Sequence, residues 1–395
     1  MLRRRFGAVG AAVIIALAAA SAPAAAAEHD SARAGDSGSD VASSGTDERA
    51  ADLVADMTTT EQAASIVMGH IPTTDAATLH AYMQQGLGGF ILMGANIPAT
   101  DEELPTLTAA LTVDPALPPL VAIDQEGGLV SRLGGDGFPA SNSLKSLPVS
   151  DSSAAFSARA ALVAKAGISV NFGTVADVTS ESSSFIFGRA LGTDPQSAAE
   201  RVAVATVAQE QVVASTLKHF PGHGAAPGDS HHAIPTTGET LDEWRATDAV
   251  PFAAGVDAGA SLLMFGHLTY ASVDPAPASL SARWHEIARE ELGFDGVIVT
   301  DDLGMLQSSG VPEYADPVAN AVSAVVAGTD LVLMIAGSTP DTAGQIVQGL
   351  VAAVDAGTIP ADRLTEAATR VMSLRLQSMS APADWALCPE CEPAD

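Results

Sequence analysis

Basic side chains are scarce in this chain of 395 residues, which has 18 Lys and Arg against 47 Asp and Glu. The formal net charge is −29 at pH 7. Nucleic-acid binding depends on clustered Lys and Arg that neutralise phosphates, so this charge excludes a nucleic-acid partner. The charge also disfavours binding to anionic membrane surfaces, and its simplest role is solubility.

Aromatic residues and cysteines are also few. Phe, Trp and Tyr make up 4% of the chain. This low content favours closely packed helices and argues against a broad groove lined with aromatic rings. The two cysteines, Cys388 and Cys391, lie together near the end of the sequence. No nearby His or further Cys completes the four ligands of a zinc site. In a secreted protein the pair can instead close a small disulfide.

Residues 1–27 have the composition of a secretory signal peptide: three arginines, an apolar segment and then small residues. We therefore expect a secreted protein that has no membrane attachment after cleavage. An uncleaved membrane anchor is the alternative. Residues 28–48, rich in Ser, Ala, Gly and Asp, predict a disordered linker. Residues 379–395 are interpreted as a polar tail.

Eight short apolar segments alternate with helical patterns between residues 49 and 378. Most are apolar throughout, as strands buried on both faces are. The segments are residues 66–68, 89–93, 120–123, 169–172, 212–217, 261–265, 297–299 and 331–334. This alternation predicts an α/β fold, a single (β/α)8 barrel of the TIM type that forms one catalytic domain. An open doubly wound sheet is the alternative, but no dinucleotide-binding glycine motif follows the first strand.

Polar residues repeatedly follow the predicted strands. Asp124 follows the third strand, Lys218 and His219 the fifth, His267 the sixth and Asp301 the seventh. In a barrel the carboxyl ends of all strands meet at one face, which holds the active site. We therefore expect these side chains to converge there.

Four of the nine histidines lie between residues 219 and 232. Within this segment Asp229 precedes His231 by two residues, so its carboxylate can accept the ring proton and fix the tautomer. A histidine held in this way can donate and accept a proton near neutral pH. A loop rich in Gly and Pro favours catalysis over a metal site, whose ligands need set geometry. We predict no metal.

Adjacent carboxylates, Asp301 and Asp302, follow the seventh strand. Because successive side chains at a strand end point in opposite directions, we expect Asp301 to face the barrel mouth as a nucleophile. Asp302 is expected to cap the next helix. Asp124, before a Gly-Gly turn, can accept hydrogen bonds from sugar hydroxyls or merely cap the turn. Arg189 is either a surface residue or a binding residue.

The segment 218–224, Lys-His-Phe-Pro-Gly-His-Gly, followed by Asp-Ser-His at 229–231, resembles glycoside hydrolase family 3. The likeness is to its bacterial single-domain β-N-acetylhexosaminidases and covers about residues 50 to 375. It implies a retaining exo-β-N-acetylglucosaminidase with Asp301 as nucleophile and His231, partnered by Asp229, as acid/base. The substrate-binding residues that it implies are Asp124, Arg132, Arg189, Lys218 and His219.

The resemblance implies a substrate with a terminal β-linked N-acetylglucosamine, from peptidoglycan fragments or chitin-type oligosaccharides. It implies no cofactor, and we expect a monomer. The chain departs from the family's usual residues at Leu129, Leu191, Thr174 and Ala95. Three alternatives stay open: a β-glucosidase or other exo-glycosidase on the same barrel, a non-catalytic sugar-binding envelope protein, and a phosphorylase.

Overall fold

The computed structural model describes residues 39–379, with side chains from residue 45 onward. The predicted signal peptide, residues 28–38 of the predicted linker and the tail beyond residue 379 lie outside the described residues. Residues 39–48, also assigned to the linker, belong to the first helix, Ser39–Ala55. This part of the sequence contains no proline that would break a helix, and Ala50 and Val54 anchor its end because both are fully buried.

Within this range, Thr236–Thr237 and Thr269–Tyr270 form a small two-stranded parallel sheet. The main sheet consists of eight parallel strands. They are β1 (Val67–Gly69), β2 (Gly89–Leu92), β3 (Leu120–Ile123), β4 (Val170–Val175), β5 (Ala214–Phe220), β6 (Leu262–Phe265), β7 (Val297–Thr300) and β8 (Val332–Leu333). Each strand from β1 to β6 pairs with the next along the chain, and β8 pairs with β1 in the register Val67 to Val332. A bridge between Val299 and Leu331 joins β7 to the approach of β8. The sheet is thus a nearly closed barrel, and the predicted (β/α)8 fold is confirmed.

Helices surround the strands. They are α1 (Ser39–Ala55), α2 (Thr59–Ser65), α3 (Ala76–Met83), α4 (Leu104–Ala110), α5 (Ser141–Leu144), α6 (Val149–Lys165), α7 (Pro195–Glu210), α8 (Leu241–Ala246), α9 (Ala249–Asp257), α10 (Ala282–Glu286), α11 (Leu303–Ser308), α12 (Pro317–Ala327), α13 (Thr342–Asp355) and α14 (Ala361–Met379). A π-helical turn, Ile287–Glu291, extends α10. No helix among the described residues has the length and hydropathy needed to cross a membrane.

Helix ends follow local sequence signals. Thr58 and Glu61 form a capping box in which Glu61 N donates to Thr58 Oγ1 over 3.3 Å and Thr58 N donates to Glu61 Oε2 over 2.7 Å. Asp194 caps α7, where Pro195 occupies the first turn without losing a hydrogen bond.

The few aromatic residues concentrate around the end of β5. The ring of Phe220 lies 4.7–5.9 Å from the rings of Trp244, Phe252, Phe265 and Trp284. All five side chains are buried. Such pairs add about 0.5–1.5 kcal/mol each beyond the area that they bury. The strand end from which the histidine-rich loop departs is therefore held by a packed aromatic cluster.

Candidate active site

A cavity of about 270 Å³ opens at the carboxyl ends of the strands. Its wall includes each predicted site residue except Asp229, which stands just outside it. Those residues are Asp124, Arg132, Arg189, Lys218, His219, His231 and Asp301. Because the carboxyl ends of all strands meet at one face of the barrel, side chains that are far apart in the sequence come together here.

Lys218 links two carboxylates at one side of the cavity. Its Nζ lies 2.9 Å from Asp124 Oδ1 and 2.7 Å from Glu126 Oε1. Arg189 donates to both oxygens of Glu126, over 2.9 Å from Nε and 2.8 Å from Nη2. Arg132 Nη2 lies 3.6 Å from Asp124 Oδ2. This alternation of fixed donors and acceptors suits the hydroxyl groups of a sugar, each of which can donate and accept.

The charged groups of this cluster keep one another ionised. Burial alone would raise the pKa of Glu126, but Lys218 and Arg189 outweigh it and set that pKa at about 2. Burial opposes the charge of Lys218 in the same way, and Asp124 and Glu126 nevertheless raise its pKa above the ordinary value. The carboxylate of Glu126 and the ammonium of Lys218 are therefore ionised at neutral pH.

Hydrogen bonds and a buried ion pair fix the loop after β3. Gln125 Oε1 accepts from Arg132 N over 2.8 Å, and Gln125 Nε2 donates to Asp136 Oδ2 over 2.6 Å. Asp136 pairs with Arg159 Nε over 2.6 Å, and both side chains are fully buried. Gly127 has φ of 87°, and a Cβ there would lie 2.2 Å from Arg159 Nη2. The turn after Asp124 therefore requires glycine, and it places Arg132 on the cavity wall.

Asp177, two residues beyond β4, orients His219. Its Oδ2 lies 2.6 Å from His219 Nδ1, and its Oδ1 accepts from the backbone N of His219 and of His223. Arg189 Nη2 lies 3.3 Å from His219 Nε2. Because a guanidinium can only donate, Nε2 must accept, and the ring proton is assigned to Nδ1. Burial tends to raise the pKa of Asp177, but His219 and His223 hold it below the ordinary value.

Asp177 was not among the residues predicted from the sequence, and Glu126 had no predicted role. The signal for both was available, since each follows a barrel strand closely, as Asp124 and Asp301 do. What the sequence does not display is the pairing. Glu126 and Arg189 are 63 residues apart, and Asp177 and His219 are 42 apart.

Asp301 and Asp302 take different directions at the end of β7. Asp302 accepts from Gly304 N, Ile335 N and Ala336 N over 2.7–2.9 Å and caps α11, which confirms its expected role. Asp301 lines the cavity, and its Oδ1 accepts from Asp302 N over 2.8 Å. Within the described residues its Oδ2 accepts no hydrogen bond, so this oxygen is available to attack.

Two imidazoles keep Asp301 ionised. Burial would raise the pKa of Asp301, but His219 and His267 outweigh burial and lower the pKa below the ordinary value. His267 is itself buried, with Nδ1 2.7 Å from Ser279 Oγ and Nε2 2.8 Å from the carbonyl oxygen of Asp302. By contrast, burial raises the pKa of Asp302 to about 6. Both residues line the cavity, but Asp301 is held as an anion whereas the carboxylate of Asp302 is occupied by the backbone donors that make it a cap.

The predicted Asp229–His231 pair is formed. His231 Nδ1 lies 2.5 Å from Asp229 Oδ1, which also accepts from His231 N over 3.0 Å. Burial raises the pKa of Asp229, but its hydrogen bonds to His231 outweigh this and lower it. Because Nδ1 is the ring atom that contacts Asp229, Nε2 is the ring nitrogen left for other contacts. The two side chains are 42% and 56% exposed, so they stand at the open edge of the cavity.

The loop that carries this pair is fixed at its root. Trp244 Nε1 donates to the carbonyl of Pro221 over 2.8 Å, and Tyr270 Oη donates to the carbonyl of Gly222 over 2.7 Å. Gly222 and Gly228 have φ of 139° and 112°, which favour glycine. Gly228 lies directly before Asp229, at the point where the pair leaves the braced part of the loop.

Two histidines of the loop are bonded to different carboxylates, His219 to Asp177 and His231 to Asp229. Across the described residues, no group of three or more His, Cys, Asp or Glu is arranged to hold a metal ion.

The four residues at which the chain departs from the usual family pattern are not part of the cavity wall. They are Leu129, Leu191, Thr174 and Ala95.

Comparisons with known proteins agree on one family. Residues 47–374 match the family described as Glycosyl hydrolase family 3 N terminal domain. A protein named Beta-hexosaminidase from Stenotrophomonas maltophilia (strain K279a) is 35% identical over 277 residues, which are 67% of this chain and 80% of that protein. These matches confirm the family resemblance.

Solved structures are similar as well. The β-N-acetylhexosaminidase from Beutenbergia cavernae superposes with a TM-score of 0.71 and 31% identity, over 81% of this chain and 99% of the other. A glycoside hydrolase family 3 β-N-acetylglucosaminidase from Paenibacillus sp. gives a TM-score of 0.75 and 28% identity over 82% of this chain. The match covers 63% of that larger protein.

Proposed function

Because the chain belongs to glycosyl hydrolase family 3, and is thus a glycoside hydrolase, we propose that it removes terminal β-linked N-acetylglucosamine with retention of configuration. The observation that carries this proposal is the Asp229–His231 pair at the rim of a cavity whose floor holds Asp301. The relatives named above as hexosaminidases support the choice of sugar. A cavity of about 270 Å³ is small beside typical ligand sites of roughly 300–1,000 Å³, which favours exo action on one sugar residue.

In the first step Asp301 Oδ2 attacks the anomeric carbon. The bond from that carbon to the leaving oxygen breaks, and the leaving oxygen takes the proton from His231 Nε2. Asp229 stabilises the imidazole through Nδ1, which fixes the nitrogen that transfers the proton. The product of this step is a glycosyl ester on Asp301 and a released alcohol.

In the second step His231 Nε2 takes a proton from water, and the resulting hydroxide attacks the anomeric carbon from the face that the alcohol left. The ester bond breaks, Asp301 returns to its carboxylate, and the sugar leaves with its configuration retained. General acid–base catalysis of this kind contributes roughly 10²–10⁴-fold in rate. Here a His–Asp pair takes the place of the second carboxylic acid.

The exposure of His231 requires a movement in this mechanism. Its side chain is 56% exposed, whereas proton transfer is favoured when water is excluded from the site. The segment from Gly228 onward folds inward when substrate binds, while the contacts of Trp244 and Tyr270 hold the root of the loop. Closing motions of this type commonly complete a catalytic site.

The natural substrate in this proposal is a peptidoglycan fragment or a chitin-type oligosaccharide, hydrolysed outside the cytoplasm by a monomer. The composition of residues 1–27 supports the location. Release of N-acetylglucosamine from chitobiose and from a muropeptide disaccharide, compared at equal concentration, distinguishes the two substrates.

The direct test uses an aryl β-N-acetylglucosaminide with the purified protein, Asp301→Ala and His231→Ala. The proposal predicts turnover by the natural sequence, no turnover by Asp301→Ala and slow turnover by His231→Ala. Faster hydrolysis of the aryl β-glucoside would assign the chain to the β-glucosidases instead. Sugar 1-phosphate that forms only when phosphate is added would identify a phosphorylase.

A further inference from the structure

His223 is a polar residue of the cavity wall that has no part in the mechanism above. His223 is 1% exposed and lies on the same wall as Asp301 and His231. Within the described residues neither of its ring nitrogens has a hydrogen-bond partner. Buried polar groups in native proteins are nearly always paired, so an unpaired one that faces a binding cavity points to a ligand.

Two other buried imidazoles interact electrostatically with Asp301, and both are fully paired. His219 is bonded to Asp177 and Arg189, and His267 is bonded to Ser279 and to the backbone of Asp302. His223 also interacts with the charge of Asp301, yet neither of its ring nitrogens has a hydrogen-bond partner in the part of the chain that the structure describes. It is therefore the imidazole near the proposed nucleophile that can bind substrate through its ring nitrogens without losing a protein contact.

The surroundings of His223 define what it can bind. Its backbone N donates to Asp177 Oδ1 over 2.6 Å, which fixes the position of the residue. Its ring meets the ring of Phe185 edge to face, with centroids 4.6 Å apart. Burial lowers the pKa of His223 to about 4, so at neutral pH the imidazole has one N–H donor and one acceptor. Phe185 adds an apolar surface on the same cavity wall.

We propose that His223 and Phe185 form the subsite for the 2-acetamido group of the substrate. The imidazole hydrogen-bonds the amide, which has one N–H and one carbonyl oxygen, and the phenyl ring contacts the methyl group. Carbon 2 adjoins the carbon that Asp301 attacks, so its substituent must lie close to Asp301, as His223 does. The inference rests on the proposed function, which it extends from the type of reaction to the choice of sugar.

The test compares two substrates that differ at carbon 2. His223→Phe keeps an aromatic ring beside Phe185 but removes both nitrogens. The measured quantity is the ratio of kcat/KM for the aryl β-N-acetylglucosaminide to that for the aryl β-glucoside. We expect His223→Phe to lower this ratio roughly 10- to 100-fold, the effect of losing a hydrogen bond in a dry site. We expect His223→Gln, which keeps a donor and an acceptor, to restore part of it.

A merely structural role predicts something different. If His223 only supports the fold, both kcat/KM values fall together and the ratio stays unchanged, which overturns the proposal. His285→Phe is the matched control, because His285 is equally buried but lies away from the cavity wall. If His223→Phe does not fold, Phe185→Ala takes its place at a half-buried position, and an unchanged ratio there overturns the proposal as well.

Failure of the proposed function gives a separate result. If the natural sequence hydrolyses neither substrate, the dissociation constants of N-acetylglucosamine and glucose replace the kinetic ratio. The subsite then predicts that His223→Phe weakens the binding of N-acetylglucosamine roughly 10-fold or more relative to glucose. Equal weakening of both sugars, or of neither, contradicts it.

Discussion

Asp177 Oδ2 lies 2.6 Å from Nδ1 of His219, and through this contact a residue outside the cavity wall orients one that lies on it. The same carboxylate accepts from the backbone of His223. Asp177 thus fixes both the backbone at His223 and the tautomer of His219.

Asp177→Asn tests this role. The amide loses the negative charge and can accept from His219 at one oxygen only, so His219 is expected to lose its fixed tautomer. We predict a loss of kcat/KM of roughly 10- to 100-fold and of stability by about 1–3 kcal/mol. Steady-state kinetics and urea unfolding measure the two effects, and Asp295→Asn, at an exposed position, is the control. Normal kinetics in Asp177→Asn would show that His219 needs no such partner.

Glu126 gives the fold a dependence on acid pH. Its pKa of about 2 lies below the ordinary value of 4.5, so its ionisation stabilises the folded chain above pH 4.5. That contribution is lost as the pH falls from 4.5 towards 2 and is on the order of 3 kcal/mol. Glu126→Gln should therefore be less stable than the natural sequence at pH 7, by an amount that shrinks below pH 4.5. Urea unfolding at pH 7, 5 and 3 measures this difference, and Glu102→Gln is the exposed control. A difference that does not change with pH contradicts the assignment.

His231 and its neighbour His232 form a matched pair on the loop, since both are exposed and their ring centroids are 6.5 Å apart. The general acid matters most when the leaving group is a poor one. His231→Ala should lower kcat by roughly 10²–10⁴-fold on a natural disaccharide and much less on a dinitrophenyl glycoside. His232→Ala should leave both rates close to those of the natural sequence. Equal losses in the two variants would place the acid/base elsewhere.

Tyr270 anchors the root of the loop through its bond to the carbonyl of Gly222. Tyr270→Phe leaves that buried carbonyl without this donor. We predict a stability loss of about 0.5–1.5 kcal/mol, and a several-fold lower kcat because the catalytic pair is less well placed. Thermal unfolding and kinetics are the measurements, with Tyr314→Phe, away from the cavity, as the control. An unchanged kcat would show that the root contact serves stability alone.

The sequence predicted the barrel well because a buried strand is visible locally as a short apolar segment. The segment 120–123 matches β3 residue for residue, and Asp302 caps a helix as its position after a strand suggested. The side-chain pairings inside the site have no such local sequence pattern. The contacts of Glu126 with Arg189 and of Asp177 with His219 depend on how loops from neighbouring strands meet, which is a tertiary property. The unpaired ring of His223 is likewise visible only once its surroundings are known.

The central claim is that Asp301 forms a covalent bond to the sugar. His231→Ala should accumulate this intermediate from an activated aryl β-N-acetylglucosaminide, because the departure of a good leaving group needs little acid help whereas hydrolysis of the ester still needs the base. Acid quenching, intact mass spectrometry and peptide mapping measure it. We predict a mass increase of one N-acetylglucosaminyl group, located on the peptide that contains Asp301 and absent from Asp301→Ala. Turnover without any protein-bound sugar, or a sugar attached to another residue, would contradict the mechanism.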